Sequence, residues 1–196
     1  MAEEQPHLVL LGGPNGSGKS TTAPALLAGT LGVQEFVNAD VIAQGLSSFR
    51  PDRVAMQAGR IMLGRLHELA NRRVNFAFES TLASKSFCPW IAGLRQTGYL
   101  FHLVFLWLQD PEMAIARVLE RVQLGGHDVP AEAIRRRYRI GLRNFFELYQ
   151  PMADTWRAYD NSNKLGPRLI ASGLVGAPPT ICDPDTWGLI LRAAER

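Results

Sequence analysis

Between Leu11 and Thr21 an unbroken apolar run gives way to Gly12-Gly13-Pro14-Asn15-Gly16-Ser17-Gly18-Lys19-Ser20, and residues 13–20 fit the pattern G-x-x-x-x-G-K-[ST]. The pattern constrains the fold as well as the chemistry. His7–Gly12 suits a buried strand and Thr21–Leu31, rich in Ala and Leu, suits a helix, so the glycines must join strand to helix in one tight loop. Pro24 fits this reading as a first-turn residue, where a missing N–H costs little. In such a loop the glycines let backbone N–H groups wrap an anion. Lys19 then offers a point charge to the β- and γ-phosphates of a nucleotide, and the Ser20 hydroxyl is placed to ligate Mg²⁺. The candidate nucleotide-binding residues are Gly13, Pro14, Asn15, Gly16, Ser17, Gly18, Lys19, Ser20 and Thr21, with the following helix N-terminus also favouring anions.

The rest of the chain alternates strand and helix. Residues 35–40, Glu-Phe-Val-Asn-Ala-Asp, read as a second strand ending on the Asp40 carboxylate. A helix over residues 51–72 follows, with Val54, Ala58, Ile61, Leu66 and Leu69 as its apolar stripe. Residues 74–81 read as a third strand, 84–96 as a helix closing at Gly98, and 99–108 as a fourth strand buried on both faces. Asp110 and Pro111 read as the N-cap and first residue of a helix to about Leu124. Residues 125–130 break the pattern before a helix over 131–149. Residues 155–160 and 168–174 read as a C-terminal β-hairpin, and 183–194 as a closing helix. The expectation is an α/β fold of the P-loop NTPase, nucleoside-kinase-like kind, in one domain over residues 1–196. Its mostly parallel sheet is flanked by helices and covered by a helical lid over about 117–143. Ligands of such sheets bind at the C-terminal ends of the strands, which places Asp40 and Glu79 opposite the phosphate loop.

Charge and cysteine usage narrow the class. A net charge of +3 is too mild to point to nucleic acid by itself, and a polyanionic small substrate accounts for it as well. Cys88 and Cys182 are too few and too far apart for a metal knuckle or a disulfide framework, so they read as reduced, packed thiols of a cytoplasmic protein. The acidic, polar start of the chain does not read as a secretion signal. The longest apolar run, 99–108, is about half of the ~20 residues a membrane span needs, so no membrane role is expected.

Phosphoryl transfer needs a positioned nucleotide, Mg²⁺, charge compensation and a group that orients or deprotonates the acceptor. Asp40 is the candidate base for an acceptor hydroxyl; the competing roles are an N-cap for the next helix and a water-mediated Mg²⁺ contact. Glu79 follows a largely apolar strand and is read as holding Mg²⁺ through water or binding acceptor hydroxyls, against the plainer role of capping a turn. Arg117 and Arg121 share a helix face just before the Gly125-Gly126 break. Beyond the break, Ile134, Tyr138, Leu142, Phe145 and Tyr149 form an apolar stripe. Arg136, Arg139 and Arg143 project from the opposite face, and Arg135 and Arg137 flank the stripe. A basic run of this kind is usually a solvated face. Arg121 is nevertheless the first candidate for charge compensation at the γ-phosphate, with Arg117, Arg136 and Arg137 as lid contacts. His127 and Asp128 read as capping the lid helix, with a substrate contact as the alternative.

Taken together, Gly12–Thr21, 36–40 with Ile42-Ala43, Phe78-Glu79-Ser80-Thr81-Leu82, 125–130 with Arg135-Arg136-Arg137-Tyr138, and 144–149 through 159–162 resemble the zeta-toxin family of P-loop kinases, in particular its small chromosomal relatives. The resemblance implies a cytoplasmic kinase using Mg²⁺ with ATP or GTP. It implies transfer to a hydroxyl of a UDP-linked amino sugar such as UDP-N-acetylglucosamine, with Asp40 as base and Glu79 and Thr81 against the sugar nucleotide. Lid-region arginines are implied as phosphate contacts, and a protein antitoxin as partner. The phosphate-loop wording is shared with transporter-type ATPases, but neither their Leu-Ser-Gly-Gly-Gln-like signature nor an apolar strand ending Asp-Glu is present. The remaining alternatives are a kinase for a nucleoside, an antibiotic or a nucleic-acid 5′ end, and a nucleotide-binding switch without transfer.

Overall fold

Strand β1 (His7–Gly12) lies inside the sheet because both of its faces are apolar: Leu8 and Leu10 enter one core, Val9 and Leu11 the other. The structure, a computed structural model, describes residues 5–27, 32–126, 128–163 and 165–195. Around β1 a seven-stranded sheet forms from β2 (Glu35–Val37), β3 (Phe76–Ser80), β4 (Leu100–Trp107), β5 (Thr155–Asp160), β6 (Arg168–Leu174) and β7 (Thr180–Ile181), in the order β2-β3-β1-β4-β5-β6-β7. The first five of these positions are parallel; β6 and β7 add antiparallel. This is the expected α/β class with its C-terminal hairpin. The hairpin is no appendage, since β5 pairs with β4 in parallel and extends the main sheet. No helix among the described residues is long and apolar enough to cross a membrane.

The larger core gathers Phe76 and Phe78 of β3 and Phe101, Phe105 and Trp107 of β4 with the helices α3 (Ala55–Asn71), α4 (Phe87–Gln96), α5 (Pro111–Gln123), α6 (Ala131–Asn144) and α8 (Pro184–Ala194). The smaller one lies beneath α1 (Lys19–Leu27) and contains Ala23 and Ala77. The aromatic residues therefore alternate along β3 and β4 onto one face, the period-2 rule at work in strands that read as continuous apolar runs.

The structure corrects several sequence expectations. Helix α1 starts at Lys19, so Pro24 stands in its second turn, where its missing N–H leaves the Ser20 carbonyl without that helical donor. Residues 28–31, the end of the expected helix, lie outside the described residues. Strand β2 stops at Val37 and an unanticipated helix α2 (Ala39–Leu46) begins at once, so Asp40 is a first-turn helical residue rather than a strand end. The physical reason is Asn38: its side-chain carbonyl accepts from the N–H groups of Asp40 (2.7 Å) and Val41 (3.2 Å), an N-cap that breaks the strand. The expected helix over 51–72 divides into a 3₁₀ turn (Pro51–Val54) and α3, whose buried stripe uses Met62 where Ile61 was expected; Ile61 faces solvent. Cys182 is exposed rather than packed.

Helix α6 runs on through a π-helical stretch (Phe145–Tyr149) into α7 (Gln150–Met152), and it is tied to two strand-end loops. The Tyr138 hydroxyl donates to Leu108 O (2.6 Å), Asn144 Nδ2 to Leu82 O (2.7 Å), and the Tyr149 hydroxyl to Ser84 O. Phe145 stacks on Phe105, and a Cβ on Gly141 would overlap the Thr81 carbonyl oxygen. This side of the expected 117–143 lid is thus anchored to the sheet.

At the opposite end of the sheet from the glycine loop, His7 Nδ1 and His102 Nε2 are 2.9 Å apart and His102 Nδ1 meets Thr155 Oγ1 at 2.8 Å. Across this contact one ring must donate and the other accept. Burial, then the neighbouring His7, pushes the His102 imidazole down from 6.5 to about 4; Arg157 adds to this and Asp154 opposes it. A folded-state value below the unfolded one gives stability that is present above 6.5 and lost as pH falls toward 4. With solvent screening of this partly exposed group the loss is about 1–2 kcal/mol. Urea unfolding at pH 7 and pH 4.5 should show it, and His102→Gln should remove that part of the difference.

Candidate active site

The glycine loop takes its shape from its surroundings. Gly13 has φ 144° and Gly18 φ 84°, conformations that side-chain-bearing residues rarely adopt. A Cβ on Gly13 would strike the Leu106 carbonyl of β4, and one on Gly18 would lie 2.7 Å from Asn161 Nδ2. Lys19 is buried, its ammonium donating to Gly13 O (3.0 Å) and Pro14 O (2.9 Å). Burial pushes the Lys19 ammonium below the usual lysine range, while the Glu79 and Asp40 carboxylates act the other way. Ser17 Oγ and Asn15 Oδ1 are buried polar atoms in the same loop with no hydrogen-bond partner; the Ser17 hydroxyl can donate to an anion, whereas the Asn15 oxygen can only accept, from water or another donor.

A cleft of about 360 Å³ opens over the loop and brings most of the predicted residues together: Asn15, Gly16, Gly18, Lys19, Ser20 and Thr21 on the loop side, Asp40, Glu79 and Thr81 facing them, and Arg117, Arg121 and Arg137 as cover. Four cationic side chains, Lys19 and the three arginines, meet two carboxylates, Asp40 and Glu79, so the cleft favours anions. Ser20 Oγ donates to Glu79 Oε2 (2.8 Å), the next-to-last residue of β3. Asn38 Nδ2 donates to Ser20 Oγ (3.0 Å), so one side chain both caps α2 and holds the serine. Asp40 sits in the positive field of the α2 N-terminus and pairs with Arg121 at 3.8 Å.

Ser20 Oγ and the Glu79 and Asp40 carboxylates are hard oxygen donors, the kind that suits hard divalent cations such as Mg²⁺, Ca²⁺ or Mn²⁺. No group of three or more His, Cys, Asp or Glu side chains able to hold a metal is found among the described residues.

The arginines separate. Arg117 Nη1 donates to Asn161 O (2.8 Å) and its Nη2 to Ser162 O (2.9 Å), clamping α5 to the end of β5. Arg137 lines the cleft from α6. Arg136 projects from the exposed face of α6 and is not part of the cleft lining. Arg135 turns away, bidentate to Glu112 at 2.7 and 2.9 Å. His127 lies outside the described residues, and Asp128 is exposed.

Sequence reasoning missed Asn38 and Asn161 as site residues. Asn161 Nδ2 donates to Ser17 O (2.8 Å) and its N–H to Trp107 O (3.0 Å), so a buried amide carries the loop on two neighbouring strands. A local signal existed for Asn38, an N-cap type directly before Ala-Asp. None existed for Asn161, 144 residues from its partner Ser17.

With this geometry in hand, likenesses to known proteins can be placed. The sequence model of the AAA domain family matches residues 8–139. An uncharacterized protein of Haemophilus influenzae is 30% identical over 126 residues, which cover 64% of this chain and 88% of that protein. Among solved structures, the AvrRxo1-ORF1:-ORF2 complex with ATP gives a TM-score of 0.75 at 18% identity, covering 95% of this chain and 63% of that one. This chain therefore spans less than two thirds of that relative's length. The PezAT chromosomal toxin–antitoxin system of Streptococcus pneumoniae gives 0.66 at 15% identity, covering 100% of this chain and 88% of that one. At these identities the likeness is one of fold.

Proposed function

Because the chain belongs to the AAA domain family, and its cleft joins a phosphate loop to an acceptor-side carboxylate, we propose that it is a Mg²⁺-dependent P-loop kinase of the zeta-toxin kind. Its reaction is transfer of the γ-phosphate of ATP or GTP to a hydroxyl of a sugar nucleotide such as UDP-N-acetylglucosamine. The observation that carries the proposal is Asp40: it lines the same cleft as Lys19 and Ser20 and stands 3.8 Å from Arg121.

Each residue then has a physical task. Backbone N–H groups of Gly13–Ser20 and the α1 N-terminus hold the β-phosphate. Lys19 leaves its carbonyl partners for the β- and γ-oxygens, a short move for an ammonium already at the mouth of the loop. Ser20, backed by Glu79 and Asn38, would hold Mg²⁺, which when bound neutralises phosphate charge. Asp40 accepts the acceptor's hydroxyl proton as its oxygen bonds to the γ-phosphorus and the bond to the β–γ bridging oxygen breaks. Arg121 and Arg137 balance the transferring phosphoryl group, Arg117 fixes α5, and Glu79 and Thr81 orient the acceptor. Closure, on this reading, does not move α6, which is anchored through Tyr138 and Asn144. The two structural relatives carry the names of two-protein systems, which supports a cognate protein partner for this chain as well. Cytoplasm, where nucleotides and UDP-sugars are held, is the proposed setting.

The direct test is ADP release from Mg²⁺-ATP with and without UDP-N-acetylglucosamine, with phosphorylated product followed by mass spectrometry. Acceptor-dependent release is expected. Release that ignores every sugar nucleotide, nucleoside and oligonucleotide would leave only the switch.

A further inference from the structure

Asn144 is a costly residue where it stands. It is 1% exposed, next to the core residues Leu142 and Phe145, and a buried amide is tolerated only when it is hydrogen-bonded. Its Nδ2 donates to Leu82 O (2.7 Å), 62 residues away. Leu82 in turn has φ 58°, the left-handed region that a buried leucine rarely adopts. Such a conformation persists only where its surroundings hold it. Here Ser80 Oγ accepts from Leu82 N–H (3.1 Å), Asn144 satisfies Leu82 O, and Gly141 of α6 leaves room for the Thr81 carbonyl. The Leu82 side chain lies against Gly12, where a Cβ would stand 2.7 Å from Leu82 Cδ1.

The helix geometry at this point is equally specific. Asn144 ends α6, and the π-helical stretch Phe145–Tyr149 follows, with Phe145 O accepting from Gln150 N–H five residues on. In a continuous α-helix, residues five apart point about 140° away from each other, so Asn144 and Tyr149 would not face one short loop together. A π turn brings residues five apart close to one face. Asn144 therefore reaches Leu82 O while the Tyr149 hydroxyl reaches Ser84 O, two residues further along the same loop. Between the end of β3 and this held stretch stands Thr81, which lines the cleft with Lys19 and Ser20.

We infer that the π turn after α6 is a positioning device for the acceptor side of the cleft: Asn144 and Tyr149 fix the left-handed turn at Leu82, and that turn presents Thr81 to the bound acceptor. Its role in the reaction rests on the phosphotransferase reading above, in which Thr81 orients the acceptor. Neither Asn144 nor Tyr149 lines the cleft, so both act through the turn and neither touches the reacting groups. Glu79, by contrast, is held within β3 by its own pairing, opposite Leu11 of β1. Loosening the turn should therefore spare Glu79, its partner Ser20 and the nucleotide.

The test is hydrogen–deuterium exchange of the intact chain, read alongside phosphate transfer from Mg²⁺-ATP to UDP-N-acetylglucosamine. Asn144→Ala should speed exchange of the amides over residues 81–84 at least ~10-fold, the effect of one lost buried hydrogen bond, and leave residues 13–20 as in the wild type. Tyr149→Phe keeps the packed ring, guards against misfolding, and should act in the same direction. In Asn144→Ala, kcat/KM for the acceptor should fall at least ~10-fold while KM for ATP stays within about two-fold. Tyr99→Phe removes a buried tyrosine hydrogen bond to Val74 O at the other end of the sheet and should change neither readout. Unchanged exchange at 81–84, or faster exchange throughout the chain in both variants, overturns the device. A loosened turn with wild-type transfer removes its role in the reaction and leaves the kinase standing. If the wild type phosphorylates no acceptor, the kinase reading fails, and exchange at 81–84 still decides whether the π turn holds Leu82.

Discussion

Lys19→Ala is expected to lower nucleotide-dependent turnover at least ~10²–10³-fold, the scale of losing one preorganised donor aimed at developing charge. The argument is positional. The Lys19 ammonium is buried in the loop itself, 3.0 Å from Gly13 O and 2.9 Å from Pro14 O, and no other cation in the cleft stands inside the loop. The arginines line the cleft from α5 and α6 instead. Burial disfavours the bare ammonium, so a polyphosphate that supplies compensating charge gains more from Lys19 than a solvated lysine would give. Lys19→Met, which keeps most of the apolar stem, should be nearly as inactive, because the charge is what is missing. Steady-state ADP release checks both variants, with thermal unfolding as the control that the loop still folds. Turnover within a few-fold of wild type would remove the phosphate loop from the reaction.

Asp40→Asn should separate binding from chemistry. Asparagine keeps the size of the carboxylate and a carbonyl oxygen facing Arg121, but it cannot take a proton. Transfer should fall at least ~100-fold, the scale of general-base catalysis, while Mg²⁺-ATP binding stays within a few-fold of wild type. The place of Asp40 is what makes this a sharp expectation: the Asn38 cap and the α2 dipole hold it, and neither depends on its own carboxylate. Single-turnover kinetics with a fluorescent-nucleotide binding assay reads both quantities. If nucleotide binding collapses and transfer falls only in proportion, Asp40 serves the metal rather than the acceptor proton.

The two variants also show which parts of the site a sequence can disclose. The phosphate loop is a contiguous motif whose residues act on one ligand from one backbone segment, so Gly13–Ser20 could be read directly. The apolar stripe Ile134, Tyr138, Leu142, Phe145 and Tyr149 was legible for a related reason: helical period reports which side faces the core, and all five are buried. Asp40 was found as a residue but misplaced as a strand end, because the apolar run Phe36-Val37 resembled a longer strand and the Asn38 cap was passed over. Arg136 and Arg137 are neighbours in sequence and could not be told apart without the helix's orientation. Successive helical residues point about 100° apart, and only Arg137 reaches the cleft.

By itself, the sequence determined the α/β class, the strand–loop–helix unit and the buried stripe of α6. All of these follow from short-range rules of period, capping and turn. The tertiary structure alone decided that α6 is tied to the sheet through Tyr138, Asn144 and Tyr149, that Asn161 carries the loop, and that Asp40 meets Arg121. Those contacts link residues far apart in the chain. No local pattern encodes them, because a long-range hydrogen bond depends on where the packed core brings two backbones together, not on the residues beside either partner.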